Sequence, residues 1–174
     1  LDNCLGQVLD PTLLLNSKTW KDLLVSKHDS QKYANRNYIL VYQIHNDPKL
    51  SDYAKRIARQ TGKVLLRVNP YLHQKYRGGK FICCPDLGEF LALIDNASCI
   101  ITDSFHGTCF AINFGKQFIE ILPNNATGTR NQSILELTGL SDRILHDTDD
   151  YSLLDKVIDY GKVYEVLVAE RRKS

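Results

Sequence analysis

Short apolar runs alternate, from Tyr38 onward, with segments whose apolar residues recur every three or four positions. The short runs are rich in β-branched and aromatic residues and are apolar on both faces, which is typical of parallel strands buried on both sides. They predict strands at Tyr38–Tyr42, Lys63–Val68, Phe81–Cys84, Cys99–Thr102 and Gln117–Leu122, with a short last strand at Arg143–Leu145.

The segments between these strands have helical spacing. Apolar residues from Leu50 to Ala58 fall on one helical face, and Gly62 suits the position just after a helix. Further helices are expected from Pro85–Gly88 to Asn96, from Asp103–Gly107 through Phe114, and at Ser133–Thr138 before Gly139. Loops are expected at Asn69–Lys80 and, exposed, at Pro123–Thr129. A long terminal helix should begin at Asp150 or Ser152, with an inner stripe of Leu154, Val157, Ile158, Gly161, Tyr164, Leu167 and Val168.

This alternation predicts an α/β fold, a Rossmann-like doubly wound parallel sheet with strand order 3-2-1-4-5-6. We expect residues 38–174 to form that domain together with the terminal helix. Residues 1–37 are less regular and are expected to be a linker and N-terminal extension, with a short helix around Trp20–Val25.

Composition and charge exclude several classes of protein. The 22 Lys and Arg residues nearly balance the 20 Asp and Glu residues, so the net charge of +2 argues against a non-specific nucleic-acid binder. No apolar run approaches the roughly 18 residues that a membrane span needs. The 174 residues contain no methionine, so we expect the chain to be a piece of a longer protein.

Five cysteines include the adjacent pair Cys83 and Cys84, but no C-x-x-C pair. Since Cys83, Cys84 and Cys99 lie in apolar runs, they are interpreted as small hydrophobic residues of a protein in a reducing compartment, the cytoplasm. Three N-x-S/T sequons, which begin at Asn96, Asn125 and Asn131, weigh toward a secreted protein.

In such a sheet, ligands bind beyond the carboxyl ends of the strands, at the switch point between strands one and four. That rule selects the loops Gln43–Asp47 and Asp103–Thr108. The second loop places His106 at a helix N-terminus, where unpaired N–H groups favour anions and an imidazole can transfer a proton. Alternatively, Asp103 or Ser104 is simply the helix N-cap and His106 is structural.

Arg130 follows strand five and is expected at the same edge, where its guanidinium could hold a phosphate or carboxylate. The alternative is a solvated loop arginine. The sequence has no Walker loop, no G-x-G-x-x-G after the first strand and no G-x-S-x-G. Because no histidine pair has metal-ligand spacing either, we expect no metal and no cofactor.

Several motifs together resemble the polysaccharide pyruvyl transferase family. They are Val8–Leu15 followed by Trp20, Glu89–Leu91 with Ile94–Ala97, Ile101–Thr108 with Phe114–Phe118, and the run from Arg130 to Arg143. The resemblance implies the C-terminal half of a GT-B-like enzyme with its active site between two halves, so the partner domain would lie in the missing N-terminal half. Some relatives carry a basic residue two positions before the histidine, where this chain has Ser104.

The family transfers pyruvate from phosphoenolpyruvate to two hydroxyls of a sugar, as a ketal, in surface polysaccharide biosynthesis in the cytoplasm. For this chain the resemblance implies phosphoenolpyruvate and a glycan or lipid-linked sugar as partners, with no membrane span. His106 would be the catalytic acid that protonates C3. The anions would be held by Ser104, Phe105, Gly107, Thr108 and Arg130.

Two other interpretations stay open. One is a GT-B glycosyltransferase half that binds a nucleotide sugar at the same edge. The other is a non-catalytic domain kept for assembly with biosynthetic partners. In either enzyme interpretation, the isolated 174-residue chain is expected to fold and to be inactive.

Overall fold

The structure, a computed structural model, describes residues 8–34, 37–125 and 127–174. Its five strands are β1 (Tyr38–Tyr42), β2 (Val64–Asn69), β3 (Lys80–Cys83), β4 (Cys99–Thr102) and β5 (Phe118–Glu120). Its α-helices are α1 (Pro11–Leu14), α2 (Ser17–Leu24), α3 (Lys27–Tyr33), α4 (Pro48–Thr61), α5 (Leu87–Asn96), α6 (Phe105–Asn113), α7 (Gly128–Thr138) and α8 (Tyr160–Lys173). Short 3₁₀ turns lie at Leu72–Arg77, Ser141–Arg143 and Ser152–Leu154.

All five strands are parallel, in the order β3-β2-β1-β4-β5. Leu40 of β1 lies opposite Leu66 of β2 and Ile100 of β4, and all three side chains are buried. The predicted α/β class, the doubly wound sheet and the order of the first five strands are therefore confirmed. Because β1 and β4 are neighbours, the loops that follow them meet at the carboxyl edge of the sheet.

Successive residues of the strands point to opposite faces of the sheet and contribute to two hydrophobic cores, one on each face. Ile39, Val41 and Ile101 pack with the inner face of α4. The opposite face of the sheet, which includes Leu40 and Ile100, packs with helices from both ends of the chain. The second core includes Leu9, Leu13 and Tyr33 from the first 34 residues and Val163 and Leu167 from α8.

The predicted sixth strand is wrong. Arg143 ends a 3₁₀ turn, and only Ile144 forms a bridge with the sheet, at Glu120. The buried guanidinium of Arg143 donates to the backbone oxygens of Phe118, Leu153 and Lys156, at 2.8 to 3.0 Å. A side chain turned inward to those carbonyls holds this segment as a turn across the sheet edge.

The predicted start of the terminal helix is also wrong. The helix begins at Tyr160 after Asp159, whose carboxylate accepts from the Gly161 N–H as an N-cap. Leu153 of the preceding 3₁₀ turn is buried, whereas Val157 is 85% exposed. The buried residues of α8 are Val163 and Leu167, whereas Gly161, Tyr164 and Val168 of the predicted stripe are exposed.

Residues 8–34 form three helices that pack on the domain. Asn113 of α6 donates to the backbone oxygens of Thr12 and Leu15, and Arg171 of α8 donates to that of Leu13. The division of the chain at residue 37 stays a prediction, but these bonds fix α1 against α6. No helix among the described residues is both long enough and apolar enough to cross a membrane.

Replacing Leu13 tests this packing. Leu13 is fully buried and its neighbour Leu14 is 43% exposed. Leu13→Ala should lower the free energy of unfolding by about 2–5 kcal/mol, and Leu14→Ala by less than about 0.5 kcal/mol. Urea unfolding of both variants measures the difference. Equal small losses would mean that α1 is not part of the core.

Candidate functional site

A buried carboxylate joins the two loops at the switch point. Asp103, just after β4, accepts the Ile44 N–H at 2.6 Å and the His45 N–H at 3.0 Å. Burial raises the pKa of Asp103, although these two N–H bonds pull the pKa down. The imidazole of His45 lies 3.5 Å from the same carboxylate. Asp103 thus fixes the β1 loop relative to the start of α6.

Ser104 is the N-cap of α6. Its hydroxyl accepts the Gly107 N–H at 3.3 Å, and its carbonyl accepts both the N–H and the hydroxyl of Thr108. Ser104, Gly107 and Thr108 are all buried. A Cβ at Gly107 would lie 2.4 Å from Thr102 Oγ1, so only glycine fits there. The structure therefore places these three predicted binding residues in the helix start itself.

Glu120, at the end of β5, lies fully buried behind this helix start. Thr108 donates its hydroxyl toward Glu120, and Asn131 of α7 donates to Glu120 Oε1 at 2.6 Å. Burial raises the pKa of Glu120 to about 8. Thr108 has one hydroxyl hydrogen and two oxygen neighbours, Glu120 Oε2 and Ser104 O. If Glu120 is protonated, its carboxyl O–H donates to the Thr108 oxygen. The Thr108 hydroxyl hydrogen is then available for the Ser104 carbonyl, so both contacts are hydrogen bonds.

His106 and Arg130 both face Asp10. His106 Nε2 lies 4.0 Å and an Arg130 guanidinium nitrogen 3.7 Å from Asp10 Oδ2. The side chains of His106 and Arg130 are 56% and 57% exposed, whereas that of Asp10 is 11% exposed. The Arg130 guanidinium also lies 4.1 Å above the Phe105 ring, a cation–π contact. Phe105, His106 and Arg130 are thus the predicted site residues that the structure brings together.

Arg130 lies on the first turn of α7, which begins at Gly128. The predicted exposed loop at Pro123–Thr129 is wrong at its end, because Gly128 is buried and a Cβ there would lie 2.4 Å from Pro123 O. This close approach brings the start of α7, and with it Arg130, to the sheet edge.

Two cavities flank the Phe105–His106 pair. One, of about 490 Å³, is lined by Val8, Leu9, Asp10, Phe105, Arg130 and Ile134 among others. The other, of about 480 Å³, is lined by His106 with Tyr42, Phe90, Phe110, Pro70 and Cys84 among others. We call them the Arg130 cavity and the aromatic cavity. The Arg130 cavity contains the guanidinium of Arg130 and the carboxylate of Asp10, whereas the lining of the aromatic cavity is mostly aromatic and apolar.

Sequence reasoning missed Asp10 as a site residue. Its carboxylate accepts the N–H of Thr12 at 3.0 Å as the N-cap of α1, so its position before Pro11 signals a helix start and nothing more. The contact with α6 and α7 depends on the packing of α1 by Asn113 and Arg171, which no local pattern encodes. Glu120 and Asn131 were also missed, because the contacts of Glu120 with Thr108 and Asn131 join separate elements and leave no local pattern.

The model of the polysaccharide pyruvyl transferase family matches residues 3–125. The chain belongs to this family. The matched residues include Asp10 and His106, and Arg130 lies just beyond them. No curated protein matches the chain.

Solved structures with the same fold include UDP-GlcNAc 2-epimerase of Methanocaldococcus jannaschii in complex with UDP-GlcNAc and UDP. It has a TM-score of 0.56 and 18% identity, over 94% of this chain and 47% of that one. The O-GlcNAc transferase of Thermobaculum terrenum, in its K341M mutant, has a TM-score of 0.56 and 14% identity, over 80% of this chain and 32% of that one. The chain thus spans less than half of each of these structures, 47% and 32%, and the likeness shows a GT-B-type α/β fold.

Glu120 should make stability depend on pH. A carboxyl whose pKa is raised to about 8 in the fold binds more protons folded than unfolded, so stability is highest below its unfolded pKa of about 4.3 and falls as the pH rises through 8. Glu120→Gln keeps both hydrogen bonds without a charge. We expect its free energy of unfolding to exceed that of the wild type at pH 9, with the difference vanishing near pH 4.

The matched control is Glu136→Gln, since Glu136 lies exposed on the same helix as Asn131. Urea unfolding at pH 4, 6, 7.5 and 9 gives the four values for each protein. Parallel pH profiles for wild type and Glu120→Gln would show that Glu120 is not held neutral.

Proposed function

We propose that the Arg130 cavity binds phosphoenolpyruvate, and that the protein transfers its pyruvate to two hydroxyls of a sugar as a ketal. The observation that carries this proposal is that His106 and Arg130 both face the carboxylate of Asp10, which lines the Arg130 cavity, in a chain of the pyruvyl transferase family. The family membership supports a transferase acting on a sugar. The choice of donor rests on the charges in the cavity.

Phosphoenolpyruvate carries a phosphate and a carboxylate, and the cavity offers complementary groups. The guanidinium of Arg130 can donate two parallel hydrogen bonds to either anion. The N–H groups of Phe105 and His106 belong to the first turn of α6, whose first N–H groups have no acceptor within the helix. These donors compensate for Ser104, which stands where some relatives have a basic residue.

Asp10 has a positioning role in this proposal. Its carboxylate is nearly buried and fixed by the N-cap bonds of α1, and it faces His106 and Arg130 from the same side. It therefore orients both side chains before the donor binds. With an imidazolium at His106, two positive charges face one carboxylate, which leaves net positive charge for the donor.

In this proposal His106 acts as the acid. Its imidazole is half exposed and lines the aromatic cavity while Phe105, the preceding residue, lines the Arg130 cavity. It would give its proton to C3 of phosphoenolpyruvate, which becomes the methyl group while C2 becomes electron-poor and bonds to a sugar oxygen. A second hydroxyl then displaces phosphate from C2, and the ketal results.

The acceptor in this proposal is a glycan or a lipid-linked sugar in the cytoplasm, used for surface polysaccharide. The chain would act as the C-terminal half of a two-domain enzyme, with the acceptor and a general base contributed across the cleft. The isolated chain would then bind the donor without turnover.

A nucleotide-sugar transferase is the second candidate. It is favoured by one observation, the fold shared with an epimerase solved with UDP-GlcNAc and UDP. The aromatic cavity beside His106 could take a base, and the start of α6 a diphosphate. Titration with UDP and with phosphoenolpyruvate separates the candidates, because each predicts that only its own ligand binds. Binding of neither would favour an assembly domain.

Substitutions in the full-length enzyme test the roles of Arg130 and His106. Arg130→Gln should raise the KM for phosphoenolpyruvate at least about tenfold, because a charge-assisted bond is lost. His106→Gln should lower kcat by about 10²–10⁴-fold with an unchanged melting temperature, because glutamine keeps a polar side chain but is not an acid.

Arg59→Gln is the matched control, since Arg59 is an exposed arginine on α4 away from this edge. It should leave both constants unchanged. A His106→Gln enzyme that melts like the wild type and keeps more than about a tenth of its rate would make His106 a structural residue.

A further inference from the structure

Two exposed thiols lie side by side at the rim of the aromatic cavity. Cys83 ends the edge strand β3 and Cys84 follows it. Both are exposed, so the interpretation of them as small hydrophobic residues of an apolar run is wrong for these two and holds for the buried Cys99. Their sulfur atoms are 3.6 Å apart. Both face the carbonyl oxygen of Pro70, at 4.0 and 3.7 Å.

The backbone holds this arrangement in an unusual conformation. Cys84 has φ of 45°, in the left-handed region that residues with a Cβ seldom adopt. It is the only such non-glycine residue in the part of the chain that the structure describes. Residues held in that region concentrate at functional sites. The turn points the two thiols the same way, whereas adjacent residues of a regular strand point to opposite faces.

Geometry disfavours a disulfide between these thiols. Unstrained disulfides join Cα atoms about 4.4–6.8 Å apart, and adjacent Cα atoms are about 3.8 Å apart. A single soft ion bridging the two sulfurs has no such difficulty. With metal–sulfur bonds of about 2.3 Å and bond angles near tetrahedral, the sulfurs would lie about 3.5–3.8 Å apart, which brackets the observed separation.

The ion must be one that two thiolates satisfy. No group of three or more histidine, cysteine, aspartate or glutamate side chains that could hold a metal is found among residues 8–34, 37–125 and 127–174. Structural zinc needs four such ligands. Soft thiolates select soft ions, and a trivalent arsenic that already carries one organic group needs only two more bonds.

We propose that Cys83 and Cys84 form a two-thiol site for soft, thiophilic ions of low coordination, of which a monosubstituted trivalent arsenical is the simplest. Binding of phenylarsine oxide would form two sulfur–arsenic bonds, and the arsenic-bound oxygen would leave as water with the two thiol protons. Arsenic keeps its oxidation state, so no oxidant or reductant is needed. Because Cys84 lines the aromatic cavity with His106, the bound ion would narrow that cavity.

Phenylarsine oxide is the probe for this site, in a Cys4→Ser background that removes a thiol outside the described residues. Cys99 and Cys109 are buried, and burial raises the pKa of their thiols to about 11 and about 12, so they should stay unmodified. The parent protein should bind one equivalent by intact mass in the presence of excess glutathione and release it to a dithiol.

The single variants Cys83→Ser and Cys84→Ser are matched controls, because each keeps one exposed thiol. We expect each to bind at least about 100-fold more weakly, since the second bond in the parent is intramolecular. Iodoacetamide labelling of the remaining thiol and an unchanged melting temperature would show that each variant is folded. Equal affinity in the parent and in either single variant would overturn the proposal.

Discussion

The carboxylate of Asp103 is the interaction on which the rest of the site depends. Parallel order brings the ends of β1 and β4 together, and Asp103 then ties them by accepting two backbone N–H groups of the β1 loop. With that loop fixed, α6 starts at one defined point. Ser104 caps it, Gly107 packs against Thr102, and His106 is left at the surface of the edge.

Three carboxyl groups near this edge have three different environments. Asp103 is buried but bonded to N–H groups, Glu120 is buried among neutral side chains, and Asp10 is nearly buried beside two basic residues. Burial raises the pKa of Glu120 to about 8, so it serves as a neutral link between α6 and α7. Of these three carboxyl groups, only that of Asp10 lines the Arg130 cavity, where it contacts His106 and Arg130.

Much of the fold could be predicted because its signals are local. The apolar runs at Tyr38–Tyr42 and Cys99–Thr102 match β1 and β4 to the residue. The failures have long-range causes. Arg143 turns inward to carbonyls of β5 and of the following segment, and Asp10 reaches the site through contacts of α1 with α6 and α8. Neither contact leaves a pattern in the neighbouring sequence.

The most direct test of the central claim is a crystal structure of the protein with phosphoenolpyruvate. We predict its phosphate or carboxylate within hydrogen-bond distance of the Arg130 guanidinium and of the N–H groups of Phe105 and His106. The chain offers a competing basic surface on α4, formed around Lys49, Lys55, Arg56 and Arg59. Ligand density on that surface, with the Arg130 cavity empty, would contradict the account.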